Sequence, residues 1–152
     1  MILKRVKTNP GDIEGENCYI VQDEETKETM IVDPGDVTDE LLQDLEAMQV
    51  KLKYIVLTHC HGDHIAGVNK LQEKYGGEVL IHRIDATGLQ DVEINLSTHI
   101  GLEPVTIQKY SRLDDEDLLH IGNLEFKVIH TPGHTARKHL FVLRARKYVI
   151  FR

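Results

Sequence analysis

The stretch Thr58-His59-Cys60-His61-Gly62-Asp63-His64 places four side chains of metal-binding type within six positions. Imidazole and carboxylate are ligands that zinc and other first-row cations accept. His59 and His61 lie two residues apart, so in an extended loop both side chains leave from one side while Cys60 points to the other. This spacing differs from the helical pattern of zinc proteases, which has two histidines four residues apart. The stretch therefore predicts a metal site on a tight loop; the alternative is a solvated turn rich in histidine.

The composition predicts one globular domain spanning residues 1–152. The chain has 41% hydrophobic and 28% charged residues, and its formal net charge is -7. An acidic chain of this kind argues against a nucleic-acid or anionic-membrane partner, and its basic pairs, such as Arg137-Lys138, are expected on exposed strand ends and turns. The first seven residues are too charged for a signal peptide, and no stretch is apolar enough to span a membrane, so we expect a cytoplasmic protein.

The two cysteines are expected to be thiols, because a reducing compartment disfavours a bridge between Cys18 and Cys60. Cys60 lies among the candidate ligands. As a nucleophile it would need a base and a lowered pKa, and as a ligand it would have to face the metal. The favoured interpretation is a packed or oxidisable bystander.

Hydrophobic periodicity predicts an α/β (α+β) fold. Helix signals are an N-cap at Thr38 followed by an apolar stripe, and a second stripe from Ile65 to Tyr75 that stops at Gly76-Gly77. A short helical piece is expected at 85–89. Strands are predicted at residues 2–7, 17–22, 28–32, 54–57, 78–81 and 105–110, with hairpins formed by 118–121 and 124–129 and by 140–143 and 148–151.

A second histidine-bearing turn follows the strand that ends at Ile129. In His130-Thr131-Pro132-Gly133-His134-Thr135, Pro132 and Gly133 force a sharp turn that can present His134 rigidly. Three imidazoles with an open position for water form a catalytic zinc arrangement. Asp63 and His64 would then be left for a second cation. Asp63 lies near the start of the second helix, which favours an anion; alone it would be interpreted as a simple N-cap.

These motifs, together with Ile31-Val32-Asp33-Pro34-Gly35 and Asn17-Cys18-Tyr19-Ile20-Val21, resemble the metallo-β-lactamase superfamily, and most closely its small glyoxalase II-like hydrolases. The resemblance implies an αββα sandwich with a dinuclear site at one edge of the sheets. It assigns His59, His61 and His134 to the first metal, Asp63 and His64 to the second metal, Asp63 to catalysis with metal-bound hydroxide, and Asp33 to support of the site.

The family pattern continues with a Gly-Asp pair that bridges the metals and with one more histidine, and this sequence has no counterpart of either. Arg137-Lys138 also stands where the family commonly has Gly-Ser. We therefore expect a domain that lacks the C-terminal strands and helix of the family. With only Asp63 and His64, a second metal is expected to bind weakly or not at all. An uncovered sheet edge predicts homodimerisation or aggregation.

The resemblance implies a zinc-dependent hydrolase of a thioester or related acyl bond in a small-molecule substrate, with metal-bound hydroxide attacking the carbonyl. Two alternatives stay open: an iron-dependent sulfur dioxygenase or other oxidoreductase of the superfamily, since these ligands also suit iron, and a truncated, non-catalytic metal-binding chain. The other histidines lack ligand spacing and are expected on the surface or in the core, with His130 and His139 as candidates to support the site. These five are His82, His99, His120, His130 and His139.

Overall fold

A six-stranded sheet forms the centre of the structure. Its strands lie side by side in sequence order, with β1 to β3 antiparallel and β3 to β6 parallel. The strands are β1 (Ile2–Thr8), β2 (Glu16–Gln22), β3 (Glu28–Val32), β4 (Lys51–Leu57), β5 (Glu78–His82) and β6 (Ser111–Leu113). β4 and β5 carry continuous apolar runs because both faces of the sheet are covered.

A second, antiparallel sheet packs on one face of the first. The computed structural model describes residues 1–130, 139–143 and 150–151, and of residues 130, 139–143 and 150–151 it describes the backbone alone. The strands run in the order β10 (Ile150–Phe151), β9 (His139–Leu143), β8 (Leu124–His130) and β7 (Leu118–Ile121). Gly122, with a φ of 52°, opens the predicted β7–β8 turn.

Helices cover the other face of the first sheet. They are α1 (Asp39–Ala47), α2 (Gly62–Ile65), α3 (Val68–Tyr75) and α4 (Val92–Asn95), with 3₁₀ turns at Ala86–Gln90 and Ser97–Ile100. The Thr38 hydroxyl accepts a hydrogen bond from Leu41 N at 3.1 Å, which confirms the predicted N-cap of α1. Within the described ranges, no helix is long and apolar enough to cross a membrane.

Two apolar clusters hold these layers together. One joins the helices to the first sheet through side chains such as Leu41, Ile55 and Leu71. The other lies between the two sheets and includes Val56 and the fully buried Phe126. Helices, six-stranded sheet and four-stranded sheet are thus three layers of the expected αββα arrangement, and the α/β prediction is confirmed.

Two sequence predictions about the elements are wrong. The strand expected at 105–110 does not form, because its backbone bonds elsewhere: Ile107 N donates to Leu89 O at 2.8 Å, and Val105 O accepts from Asn95 Nδ2 at 2.8 Å. The sixth strand begins only at Ser111. The helix expected from Ile65 to Tyr75 is two helices, because the chain between α2 and α3 turns to let Gly67 N donate to Pro34 O at 2.8 Å.

Candidate metal centre

The candidate site lies where two neighbouring parallel strands end. β3 ends at Val32 and β4 at Leu57, and the chain continues from them into Asp33 and into the 58–64 loop. The carboxyl ends of parallel strands meet at one edge of a sheet, which is where α/β proteins assemble their binding sites. The fold therefore brings the Asp33-Pro34-Gly35 turn and the histidine loop together, as the resemblance implies.

Asp33 holds the histidine loop through both of its carboxylate oxygens. Oδ1 accepts a hydrogen bond from Thr58 N at 2.8 Å, and Oδ2 accepts one from Thr58 Oγ1 at 2.5 Å. Asp33 adopts a positive φ of 51°, a conformation that costs energy in a residue other than glycine and persists where surrounding contacts enforce it. Asp33 is buried, and this geometry matches the supporting role that the resemblance implies.

Close backbone approach locks the two loops against each other. A Cβ atom on Gly35 would lie 1.8 Å from Asp63 O, and one on Gly62 would lie 2.7 Å from Ser97 Cα. The atoms that would clash belong to the backbone, and they cannot move aside as the end of a flexible side chain could. Only glycine therefore fits at these two positions. The start of α2, which carries Asp63 and His64, is consequently held against the β3 turn on one side and a 3₁₀ turn on the other.

The rings of His61 and His64 both lie next to the ring of His59. The ring centroid of His59 lies 4.7 Å from that of His61 and 4.1 Å from that of His64. Cys60 points away into the helix-side core, where its Sγ lies against Gly88, so the bystander interpretation fits its position. Cys18 and Cys60, both in the described part of the chain, form no disulfide with each other.

A chain of contacts orients the His59 ring. The Thr58 hydroxyl gives its hydrogen to Asp33, so it can only accept from His59 Nδ1, which lies 3.0 Å away. This assigns the proton of the neutral ring to Nδ1 and leaves the lone pair on Nε2, the arrangement seen in metal-binding histidines whose other nitrogen is hydrogen-bonded. Burial, with the positive charge of His64 adding to it, lowers the pKa of His59 to about 4, so the ring is neutral at neutral pH.

Carboxylates surround His64. Its Nδ1 lies 3.1 Å from Asp33 Oδ2, and its Nε2 lies 3.4 Å from Glu16 Oε2 and 3.6 Å from Asp63 Oδ2. Burial disfavours the charged ring, but the carboxylates, Asp33 foremost, outweigh it and raise the pKa of His64 to about 9. Burial likewise opposes the ionisation of Asp33, yet the charge of His64 holds the pKa of this carboxyl below its usual value.

The donor set suits a divalent cation. One donor atom from each of Asp33, His59 and His64 lies within 4.8 Å of the other two, and the same holds for Glu16, Asp63 and His64. Imidazole and carboxylate together are the ligands of zinc and iron sites. In the metal-free chain the protonated His64 ring neutralises part of the negative charge of these carboxylates. A cation bound among them would supply that positive charge instead.

The structure brings together four of the five residues predicted as ligands, namely His59, His61, Asp63 and His64. His134 lies outside the described residues, so its place in the first metal site stays a prediction. Glu16, at the start of β2, was not predicted from the sequence. No pattern in the neighbouring residues marks Glu16 as a candidate ligand. Its position follows from the sheet instead, because a β2 antiparallel to β3 begins at the edge where β3 ends.

None of the other histidines that the structure describes belongs to either group of converging donor atoms. His82 is buried at the end of β5, His99 is exposed, and His120 pairs with Glu125 on the surface at 3.1 Å. These positions agree with the surface or core locations expected for them. The side chains of His130 and His139 lie outside the described residues.

Comparison with known proteins identifies the family. A model described as the metallo-beta-lactamase superfamily matches residues 11–151. Hydroxyacylglutathione hydrolase GloC of Haemophilus influenzae is 28% identical over 90% of this chain and 64% of its own length. The crystal structure of BLEG-1 B3 metallo-beta-lactamase superposes with a TM-score of 0.81 at 29% identity, over 94% of this chain and 68% of that one.

A further solved structure, TTHA1623 in a di-iron-bound form, superposes with a TM-score of 0.71 at 25% identity, over 91% of this chain and 65% of that one. The chain therefore belongs to the metallo-β-lactamase superfamily, and its fold is the one expected from the motifs. Members of this superfamily are mostly metal-dependent hydrolases. The chain spans 64% of the length of the GloC relative.

Proposed function

We propose that the chain is a metal-dependent hydrolase of a thioester, with a substrate of the hydroxyacylglutathione class. The observation that carries the proposal is the convergence of His59, His61, Asp63 and His64 at one sheet edge. The similarity to GloC, a hydroxyacylglutathione hydrolase, supports the substrate class.

In this proposal each residue has a distinct task. A divalent cation held there would supply Lewis acidity and would make water available as a nucleophile near neutral pH. His59 and His61 would hold it, together with the predicted ligand His134. Asp33 would act through Thr58, whose contact with Nδ1 of His59 leaves Nε2 available to bind the cation. Asp63 is the proposed catalytic residue, and the carboxylate oxygen that holds no metal would accept a proton from the attacking water.

Zinc is the proposed metal, because the imidazole-rich first position matches the donor set of catalytic zinc sites. An iron-dependent oxidoreductase, such as a sulfur dioxygenase, is the second candidate. The observation that favours it is the similar structure that holds two iron ions, since the same ligands suit iron.

The test is hydrolysis of a panel of glutathione thioesters by the 152-residue chain loaded with zinc, with and without a chelator. We expect turnover that the chelator abolishes and that zinc restores. In a matched pair of variants, His61→Gln should lower turnover by more than about 100-fold. Mutation of a residue that only supports a metal ligand already lowers metal affinity or activity by about 10- to 100-fold. His99→Gln makes the same change at an exposed histidine outside the site and should leave turnover intact.

The other outcomes separate the alternatives. Iron in the purified chain, with oxygen uptake on a persulfide and no thioester turnover, would replace the hydrolase proposal by the oxidoreductase. The absence of any chelator-sensitive turnover across the panel would favour a non-catalytic metal-binding chain. A cytoplasmic location and a homodimer stay predictions from the sequence, and size-exclusion chromatography with light scattering tests the second.

A further inference from the structure

We propose that Glu16 is a metal ligand of the second cation position, which it forms together with Asp63 and His64. The inference rests on the metal-dependent site of the proposed function, and it adds a ligand that none of the site motifs contains. It adds a third donor to Asp63 and His64.

The fold places Glu16 at the site although it is distant from the histidine loop in sequence. β2 runs antiparallel to β3, and Tyr19 pairs with Val32, so the start of β2 reaches the edge where β3 ends. The start of the strand is fixed by pairing of Glu16 with Thr8, and by Gly15 N, which donates to Asn9 Oδ1 at 2.9 Å. Glu16 is therefore held by regular backbone pairing, so its approach to the site does not depend on a surface loop.

The spacing of the donor atoms fits a single cation. Bonds of about 2.1 Å to oxygen and nitrogen in a tetrahedral site separate neighbouring ligand atoms by about 3.4 Å. Nε2 of His64 lies 3.4 Å from Glu16 Oε2 and 3.6 Å from Asp63 Oδ2. One donor atom from each of Glu16, Asp63 and His64 lies within 4.8 Å of the other two. One imidazole and two carboxylates thus converge at ligand spacing.

The contacts of Glu16 differ from those of Asp33. Both oxygens of Asp33 accept hydrogen bonds from Thr58, so this carboxylate is already engaged in positioning the loop. The Glu16 carboxylate accepts no hydrogen bond from the residues described in the structure, and its ion-pair partner is His64. Its side chain is 30% exposed and that of Asp63 is 20% exposed, so an ion can reach the position from solvent. Two carboxylates facing one imidazole also leave excess negative charge that a divalent cation would neutralise.

The test is the binding of Co²⁺ to the metal-free 152-residue chain, followed by absorption spectroscopy and by competition with a chromophoric chelator. Wild type should bind two ions in two steps. Glu16→Gln keeps the shape of the side chain but removes its charge, and should weaken the weaker step by at least about tenfold while the tighter step stays unchanged. Glu14→Gln is the matched control, because Glu14 is exposed and lies two residues away, and it should leave both steps as in wild type.

A wild-type chain that binds one Co²⁺ ion, or a folded Glu16→Gln variant with both steps unchanged, would overturn the proposal. Should the variant fail to fold, wild type labelled with ¹³C-glutamate gives the answer: the side-chain carboxyl signal of Glu16 should shift with the second equivalent of Zn²⁺, and a signal that does not move between one and two equivalents would refute its role as ligand. Because both readouts measure binding, a chain that takes up two ions but hydrolyses no thioester would contradict the proposed function and leave this inference standing.

Discussion

In the metal-free chain, His64→Gln should abolish a fall in stability between pH 6.5 and about 9.5. The pKa of His64 is raised from an ordinary value of 6.5 to about 9 in the folded chain, mainly by Asp33 against the opposing effect of burial. A group whose folded-state pKa is raised stabilises the fold fully below its unfolded pKa, and this contribution is lost as the pH rises through the folded pKa. The wild-type free energy of unfolding should therefore fall across this window.

The size of the fall follows from the interval between the two pKa values. Each pKa unit corresponds to about 1.4 kcal/mol, so the interval from 6.5 to about 9 corresponds to about 3 kcal/mol. The His64 side chain is 15% exposed, so solvent screens its contacts with the carboxylates only slightly. The stability lost by the variant relative to wild type should therefore be about 3 kcal/mol larger at pH 6.5 than at about pH 9.5.

Urea unfolding followed by circular dichroism, in the presence of a chelator and across this pH range, measures the difference. Other groups that titrate at high pH are common to both proteins and cancel in the comparison. His99→Gln serves as the control, because His99 is exposed and outside the site, and its curve should follow wild type. Equal falls in wild type and His64→Gln would refute the assignment of the pH dependence to His64.

Three further substitutions test the packing around the site. Gly62→Ala places a Cβ atom 2.7 Å from Ser97 Cα and should cost about 1–3 kcal/mol in urea unfolding; an unchanged midpoint would show that the two loops are not locked together. Phe126→Ala empties a fully buried position between the two sheets and should cost about 3–5 kcal/mol, seen as a lower melting temperature; a loss below about 1 kcal/mol would contradict the described interface. Thr58→Val removes the hydroxyl that joins Asp33 to His59 and should cost about 1–3 kcal/mol in the metal-free chain and weaken zinc binding; zinc affinity equal to wild type would argue against a role in orienting the ring.

The sequence predicted those parts of the fold that local patterns encode. The apolar run of β4 and the cap of α1 at Thr38 depend on neighbouring residues, and both are confirmed. The break between α2 and α3 could not be predicted, because Gly67 turns toward Pro34, a residue far away in sequence. The failed strand at 105–110 has the same cause, since Ile107 bonds to Leu89 rather than to a neighbouring strand.

In the candidate site, too, the residues that local sequence patterns encode could be predicted, and those that depend on tertiary contacts could not. The histidines and Asp63 could be predicted because they follow one another within a single loop, and a cluster of ligand types is visible in the sequence. Glu16 could not, because its proximity to His64 depends on the antiparallel pairing of β2 with β3. The left-handed conformation of Asp33 is likewise a consequence of tertiary contacts, here its hydrogen bonds to Thr58.

The central claim, that the 58–64 loop is a metal centre, is tested most directly by the metal content of the purified chain. Mass spectrometry of the folded protein should find at least about one zinc ion per chain, with the content reduced in His61→Gln and unchanged in His99→Gln. A folded wild-type chain that holds no metal after exposure to zinc, or equal metal content in wild type and His61→Gln, would contradict the claim.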